Sequence, residues 1–326
     1  MHIKKLSLIV TSLFITAVSA NDQPPVQAND FIEVFKTLFG DHKGERKNHI
    51  VGLCASGDFT ASQEASNYST SLLYAGETVP AIMRFSLPGG NPNTPDGANI
   101  PRGFAAQFSL PDGSKHNIAN LNVPVFAAKD PQTFLGLLKA SLPAENGSVN
   151  PANIKAFKQA HPDTKPLDEW LASHLPPYSY ASASYYGIHT FYLQNSAAEQ
   201  TKIRWKLSPR LGEKTLSDEE QKAAPPRFLA ERLATQLQQG PVLFDWTASI
   251  GQAGDSDIDP TIMWPIDRPQ INLGVLRITA VGGEACTPLN FDPNFVSKGV
   301  VTSDDPVLKM RSPAYAISFG KRLSGQ

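Results

Sequence analysis

The stretch from residue 50 to residue 126 constrains the fold most, because it consists of short apolar runs separated by clusters of Pro, Gly, Asn and Asp. Clusters such as residues 87–92 and 111–113 need fixed or positive φ angles and cannot easily lie inside a helix. The stretch is therefore predicted to form strands joined by turns. The predicted strands within it are residues 81–87, 103–110 and 123–128.

Helical spacing of apolar residues returns outside this stretch. Residues 30–39 are predicted to form a helix with Asp30 as its cap, and prolines are expected to divide residues 131–170 into several helices. Another helix is predicted at residues 219–239, and a last one at residues 305–322 that breaks or restarts at Pro313. Further strands are predicted at residues 185–193, 202–207, 246–251 and 271–280. This order predicts an α+β fold in which helices surround a central antiparallel sheet or barrel.

The first twenty residues have the pattern of an export signal. A lysine pair is followed by an apolar stretch over residues 6–18 and by a small-residue cleavage site that ends at Ala20. A membrane anchor is the weaker alternative, because the apolar run has about thirteen residues and a span needs roughly twenty. We therefore predict a signal peptide over residues 1–20, one domain over residues 21–326, and a periplasmic or secreted protein without a membrane span after cleavage.

The charge of the chain argues against a polyanionic partner. The formal charge of -1 becomes about -3 when the two lysines of the signal are removed. A weakly negative protein has no long-range attraction for nucleic acid. No nucleic-acid partner is therefore expected.

The two cysteines, Cys54 and Cys286, lie too far apart in the sequence to form a metal motif. Export would place them in an oxidising compartment, where a disulfide is possible. A bridge requires a short Cα separation that the sequence cannot supply. A disulfide and two separate buried thiols therefore remain equal alternatives.

Common catalytic signatures are missing: the sequence has no P-loop, no dinucleotide fingerprint, no Gly-x-Ser-x-Gly elbow and no His-Glu-x-x-His. A different chemistry is suggested by Arg311 and Tyr315, which share a helix face if their spacing is helical. A guanidinium beside a phenol stabilises the phenolate, which is a hard anionic ligand for ferric iron. Taken alone, such a pair is far more often an ordinary arginine stacked on a tyrosine, and a lone His49 is more often structural than catalytic.

Read together, these segments resemble the catalase family along nearly the whole mature chain. Arg46 and His49 stand in a segment similar to the family's Arg-Val-Val-His-Ala-Lys-Gly, and Arg311 and Tyr315 match its Arg-x-x-x-Tyr. Seven matching segments occur in the family's order, at residues 46–52, 80–86, 101–105, 122–130, 186–191, 264–265 and 311–315. The short, signal-bearing chain is most similar to the catalase-related peroxidases, or minimal catalases.

The resemblance implies haem b and assigns roles to residues of this chain. Tyr315 is expected to be the iron's protein ligand, with Arg311 as its hydrogen-bonding partner. His49 is expected to be the distal acid and base, oriented by Ser86. The remaining expected haem contacts are Arg46, Arg84 and Arg322 at the propionates and Phe134 on the macrocycle.

Two departures from the family pattern affect the expected reaction. The family's distal asparagine falls on Leu121, with Asn122 one step later, and the second phenylalanine of its Pro-Val-Phe-Phe segment is Ala127. A hydrogen-bond donor to peroxide is therefore lost or displaced. His189 and Trp264 match positions outside the distal pocket and are expected to be structural.

The leading functional hypothesis is reduction of hydrogen peroxide or an organic hydroperoxide, with oxidation of a small organic reductant. Dismutation of hydrogen peroxide and isomerisation or dehydration of a hydroperoxide are alternatives on the same fold. A non-enzymatic haem carrier is the alternative from another class. The protein is expected to be a monomer or a dimer.

Overall fold

An antiparallel barrel forms the centre of the molecule. The computed structural model describes residues 25–145 and 147–326. Within them, the eight strands of the barrel are, in chain order, β1 Gly52–Ala61, β2 Thr78–Ser86, β3 Gly103–Ser109, β4 Lys115–Leu121, β5 Tyr185–Tyr186, β7 Gln200–Pro209, β8 Val242–Ile250 and β9 Gln270–Val281. The barrel is closed because β7 pairs with β5 on one edge and with β8 on the other, while β9 pairs with both β8 and β1. Two short strands, β6 Phe191–Gln194 and β10 Val300–Thr302, continue the sheet beside β7.

Aromatic side chains fill the interior of the barrel. Successive side chains of a strand point to opposite faces, so alternate residues of β2 and β8 are buried inside. Phe59 and Trp246 meet at 4.9 Å between ring centroids, and Phe85 and Phe104 at the same distance. The inside of the barrel is therefore a packed core. The opposite face of β2, which carries Ser86, is turned outward.

Helices cover the outside of the barrel. The described residues form seven α-helices: α1 Ala28–Phe39, α2 Pro131–Ala140, α3 Pro151–Ala160, α4 Lys165–Ser173, α5 Asp218–Ala223, α6 Phe228–Leu237 and α7 Pro306–Leu323. The apolar face of α1 carries Phe31, Val34 and Phe35, which pack with Leu135 of α2 and Met310 of α7. These three helices form a second apolar layer. The predicted α+β fold with a central antiparallel barrel is confirmed.

One predicted strand is wrong, and three strands, β1, β4 and β10, lie outside the predicted strand ranges. Residues 123–128 form no strand; Pro124 lacks an N–H group, and Phe126 N instead bonds to Pro260 O at 2.9 Å. The strand β4 has a polar sequence, and its His116 and Asn117 are buried by contacts with residues far along the chain. Its polarity hides the alternation that normally indicates a strand.

Prolines and capping residues explain the errors in the helices. Asp30 does not cap α1: the helix begins at Ala28 after Gln27, whose N–H donates to the Asp30 carboxylate at 2.8 Å. The single helix predicted at residues 219–239 is two helices, because two consecutive prolines separate α5 from α6. The break predicted at Pro313 is absent, and α7 runs through it. Pro313 is exposed, so the backbone carbonyl that loses its partner lies towards water.

The structure resolves the question of the cysteines. Cys54 and Cys286 form a disulfide with a Cα–Cα distance of 5.3 Å. No helix among the described residues is long and apolar enough to cross a bilayer. The predicted signal peptide over residues 1–20 lies outside the described residues.

Candidate functional site

A cavity lies between the outer face of the barrel and the helices α1, α2 and α7. Strands β2, β3 and β4 form its floor, and the segment before β1 closes one side. All eight residues predicted to form the site line this one cavity: Arg46, His49, Arg84, Ser86, Phe134, Arg311, Tyr315 and Arg322. Residues from four separate parts of the chain are thus brought together.

The helix α7 presents one side to the cavity. Arg311 and Tyr315, four residues apart, lie on that side, and Arg311 Nη2 donates a hydrogen bond to the Tyr315 hydroxyl at 2.7 Å. The lining residues recur at helical intervals of three and four: Val307, Met310, Arg311, Ala314, Tyr315, Ser318, Phe319 and Arg322. The phenol of Tyr315 is therefore held beside a permanent positive charge.

The start of α7 is fixed to the barrel through Asp305. One carboxylate oxygen of Asp305 accepts from Val307 N at 2.8 Å and Leu308 N at 3.2 Å, which caps the helix. The other oxygen lies 2.6 Å from His189 Nδ1. Both side chains are buried. His189 thus sets the position of the helix that carries Tyr315, and it does not line the cavity.

His49 has an unusual backbone conformation. Its φ angle is 57°, in the left-handed region that non-glycine residues rarely occupy. Asn48 supports this conformation, because its side-chain oxygen accepts from His49 N at 2.8 Å and from Gly89 N at 2.6 Å. Strained conformations of this kind persist where surrounding contacts enforce them, and they concentrate at functional sites.

The imidazole of His49 is oriented and kept neutral by its surroundings. Its Nδ1 lies 2.9 Å from Ser86 Oγ, so Nε2 is the ring nitrogen left for a ligand. Gly103 makes room for this pair, because a Cβ there would lie 2.5 Å from Ser86 Oγ and 3.0 Å from the imidazole. Burial lowers the pKa of His49 to about 3, and the nearby guanidiniums of Arg84 and Arg311 add to that effect.

Three further guanidinium groups reach the cavity without a carboxylate partner. Among the described residues, no acidic side chain forms an ion pair with Arg46, Arg84 or Arg322. Burial lowers the pKa of Arg46 to about 9 and that of Arg84 to about 10, and the mutual repulsion of the three contributes. Arg322 Nη1 is buried with no hydrogen-bond partner. This cationic cluster is suited to a ligand with more than one carboxylate.

The distal side of the cavity is apolar where the family pattern has an asparagine. Leu121 lines the cavity, as do Ala105 and Ala119. The side chain of Asn120 is buried, and its oxygen accepts from Trp205 Nε1 at 2.7 Å. Asn122 bonds to Arg102 N at 2.5 Å and lies outside the cavity lining. The side-chain oxygens of both asparagines are therefore engaged elsewhere, while Nδ2 of Asn120, a residue that lines the cavity, is buried without a hydrogen-bond partner.

Sequence reasoning missed several residues that shape the site. Asn48 was not singled out, although an asparagine beside a histidine in a turn-rich segment is a possible local cap. Asn290 and Phe291 also line the cavity, and they come from a segment with no strand or helix pattern. Their role depends on long-range contacts that no local signal reveals.

Comparison with known proteins identifies the family. A family model described as catalase matches residues 16–326. The chain belongs to the catalase family. Similar relatives within the catalase family include a catalase-related peroxidase of Synechococcus elongatus, 42% identical over 98% of this chain and 95% of that protein. A catalase-related peroxidase of Mycolicibacterium paratuberculosis is 33% identical over 89% of this chain and 93% of that protein.

Solved catalase structures share the fold. A bacterial catalase superposes with a TM-score of 0.78 at 23% identity, over 96% of this chain and 64% of that one. A fungal catalase gives a TM-score of 0.79 at 21% identity, over 96% of this chain and 67% of that one. This chain thus spans about two thirds of these larger catalases.

Haem is the cofactor that the catalase family implies, and the residues of the cavity fit it. The positive charge of the cavity supports this fit. Three guanidiniums lack carboxylate partners, and one nitrogen of Arg322 is buried without any hydrogen-bond partner. A haem carries two propionates that would satisfy such groups. The apolar rings of Phe31, Phe126 and Phe134, which pack together at 4.9 to 5.7 Å, suit the face of a macrocycle.

Proposed function

We propose that this protein is an exported haem peroxidase that reduces hydrogen peroxide or organic hydroperoxides with electrons from a small organic reductant. Membership of the catalase family makes it an oxidoreductase that acts on peroxide. The observation that carries the finer proposal is that a strained, neutral histidine and an arginine-bonded tyrosine line one cavity.

Haem b would be held by residues of several elements. Tyr315 would ligate the iron as a phenolate, and Arg311 would stabilise its negative charge through the 2.7 Å hydrogen bond. Arg46, Arg84 and Arg322 would pair with the propionates, because planar guanidiniums match carboxylates. Phe134 would pack on the macrocycle. Bound haem would supply the iron at which the peroxide O–O bond breaks and the oxidising equivalents that the reductant consumes.

His49 would move the proton that makes this cleavage easy. Its free Nε2 would take a proton from one peroxide oxygen and return it to the other oxygen, which leaves as water or as an alcohol. Ser86 would keep the ring in the orientation needed for both steps. The low pKa of His49 keeps the imidazole neutral, so it can accept the first proton.

The apolar distal side favours peroxidase chemistry over dismutation. Dismutation requires the site to hold a second hydrogen peroxide as the reductant, and Leu121 offers that small polar molecule no hydrogen bond. An organic hydroperoxide would gain from the same apolar surface. A carrier needs no proton-transfer group, so the supported conformation of His49 argues for an enzyme.

Export is part of the proposal. The signal pattern over residues 1–20 predicts a periplasmic or secreted protein. The disulfide between Cys54 and Cys286 supports it, because such bridges persist in oxidising compartments.

The proposal is tested with purified, haem-loaded protein. Oxidation of a donor dye is followed with hydrogen peroxide and with cumene hydroperoxide, and oxygen release is followed with hydrogen peroxide alone. We expect rapid dye oxidation with both peroxides and little oxygen. Rapid oxygen release without dye oxidation would establish dismutation instead, and inertness in both assays would favour a haem carrier.

A further inference from the structure

We propose that the Cys54–Cys286 disulfide is a positioning element of the haem site, which holds two propionate-binding arginines in place and slows the loss of haem. The proposal rests on the proposed function, because it takes Arg46 and Arg322 as haem contacts. The bridge joins β1 to the segment that follows β9, across 232 residues of sequence. Two backbone contacts accompany it: Gly282 N donates to Cys54 O at 2.8 Å, and Cys286 N to Cys54 Sγ at 3.2 Å.

The bridged segment, residues 286–291, supplies the acceptors that orient both arginines. Arg46 Nη2 donates to Cys286 O at 3.1 Å and to Leu289 O at 3.0 Å. Arg322 Nη2, from the far end of α7, donates to the same Leu289 O at 3.1 Å. Phe291 adds a contact, with its ring centroid 5.8 Å from the Arg46 guanidinium. Two distant parts of the chain thus share one short set of carbonyls.

These carbonyls must stay in place because the arginines repel one another. Arg46 has Arg84 and Arg322 as charged neighbours, and their proximity, together with burial, lowers its pKa to about 9. No carboxylate among the described residues forms an ion pair with them, and Glu45 acts on all three only from beyond ion-pair distance. Without the fixed carbonyl acceptors of the bridged segment, the guanidiniums would turn away from each other and from the cavity.

The segment has little else to fix it. Residues 286–291 lie in no helix or strand. At its other end, Asn117 Nδ2 donates to Asn290 O at 3.1 Å and Asp292 O at 3.0 Å. At the near end the anchor is the disulfide, which is buried with Phe291 in a small cluster that Tyr315 contacts. The cysteines are only 7% and 2% exposed, so the bridge is a permanent brace and not an exchangeable thiol pair.

The test measures transfer of haem from loaded protein to excess apomyoglobin. The variant is Cys54→Ser with Cys286→Ser, and the control is Leu276→Ala, a buried barrel residue of β9 outside the cavity lining. We expect the cysteine variant to lose haem about tenfold to a hundredfold faster, the effect of losing a charge-assisted hydrogen bond. The Leu276→Ala protein, assayed at a temperature where both apo proteins are equally folded, should keep the parent rate.

A second comparison asks whether the effect runs through Arg46. In an Arg46→Gln background, which already lacks one of the two guanidiniums, removal of the disulfide should speed haem loss by a clearly smaller factor than in the parent, because only the Arg322 contact remains to be lost. If the serine pair does not fold, Cys54→Ala with Cys286→Val fills the same volume and should give the same result.

The outcomes separate this inference from the proposed function. Parent-like haem loss in the cysteine variant, or the same fold-change in the parent and Arg46→Gln backgrounds, would overturn the inference and leave the peroxidase proposal intact. A parent protein that takes up no haem would overturn the proposed function, and the inference with it.

Discussion

At the scale of single residues, His49 is the most constrained position of the site. A left-handed backbone at a non-glycine residue costs about 1–3 kcal/mol, yet three neighbours stabilise it. Asn48 bonds to its backbone, Ser86 bonds to its ring, and Gly103 leaves space that any side chain would fill. The free energy spent on this arrangement indicates that the position of the imidazole matters for function.

The first prediction concerns proton transfer. His49→Ala should retain the Soret band, because Tyr315 and the arginines remain, but should slow peroxide cleavage by about 10² to 10⁴. The loss should lie near the larger end, since Leu121 cannot compensate. Stopped-flow mixing with peroxide measures the rate, and His174→Ala, at an exposed histidine, is the control. A His49→Ala protein that cleaves peroxide at a rate within threefold of the parent would refute the role of His49 in proton transfer.

The second prediction concerns pH. Because the pKa of His49 is lowered to about 3, its imidazole is neutral at every pH above about 4. The groups responsible besides burial are the guanidiniums of Arg84, Arg311 and Arg46. The rate constant for peroxide cleavage should therefore be constant from pH 5 to pH 8. A histidine with an ordinary pKa would lose nearly tenfold for each pH unit below about 6, and such a decline would contradict the prediction.

The third prediction concerns Asn48. Asn48→Ala removes the acceptor for two backbone N–H groups and should lower the free energy of unfolding by about 1–3 kcal/mol while slowing peroxide cleavage. Asn48→Asp keeps the acceptor and should restore most of the rate. Asn91→Ala is the matched control, because Asn91 accepts from Asn93 N in an exposed turn. If the Asn48→Ala protein cleaves peroxide as fast as the Asn91→Ala control, Asn48 does not position His49.

At the scale of elements, α7 and the segment before β1 determine what the cavity can bind. The cavity-facing side of α7 could be predicted from the sequence. Arg311 and Tyr315 stand four residues apart, and a hydrogen bond between their side chains needs only the local geometry of a helix. The sequence did not predict that α7 continues through Pro313, because this depends on whether the helix side that carries Pro313 faces water. The strand β4 was missed for a similar reason: the buried amide of its Asn117 is satisfied by backbone carbonyls that are distant in the sequence.

The fourth prediction tests the cavity-facing side of α7. Tyr315→Phe removes the only phenol among the residues that line the cavity and should release haem or abolish its high-spin ferric absorption. Tyr178→Phe, at a tyrosine outside that lining, should leave the spectrum unchanged. Absorption spectra of the two proteins loaded with equal haem make the comparison. Full occupancy with an unchanged spectrum in Tyr315→Phe would place the iron ligand elsewhere.

At the scale of the whole molecule, closure of the barrel places the site. The sequence indicated most strands, because apolar alternation is local. It did not indicate that β1 pairs with β9, or that β7 pairs with β8, because register between distant strands depends on the packed interior. The same closure brings the end of β9 beside Cys54, which makes the disulfide possible. Neither the disulfide nor the contacts of Arg46 and Arg322 with the bridged segment could be derived from the spacing of residues in the sequence.

The fifth prediction links the compartment to this whole-molecule geometry. If residues 1–20 are an export signal, the exported protein should begin at Asn21 and contain no free thiol, because the two cysteines are oxidised after export. A chain that starts at Met followed by Asn21 would stay in the reducing cytoplasm and should carry two free thiols. Intact mass and thiol titration under denaturing conditions measure both quantities. A mass that retains residues 1–20 would contradict export, and equal thiol counts in the two preparations would show that the disulfide does not depend on it.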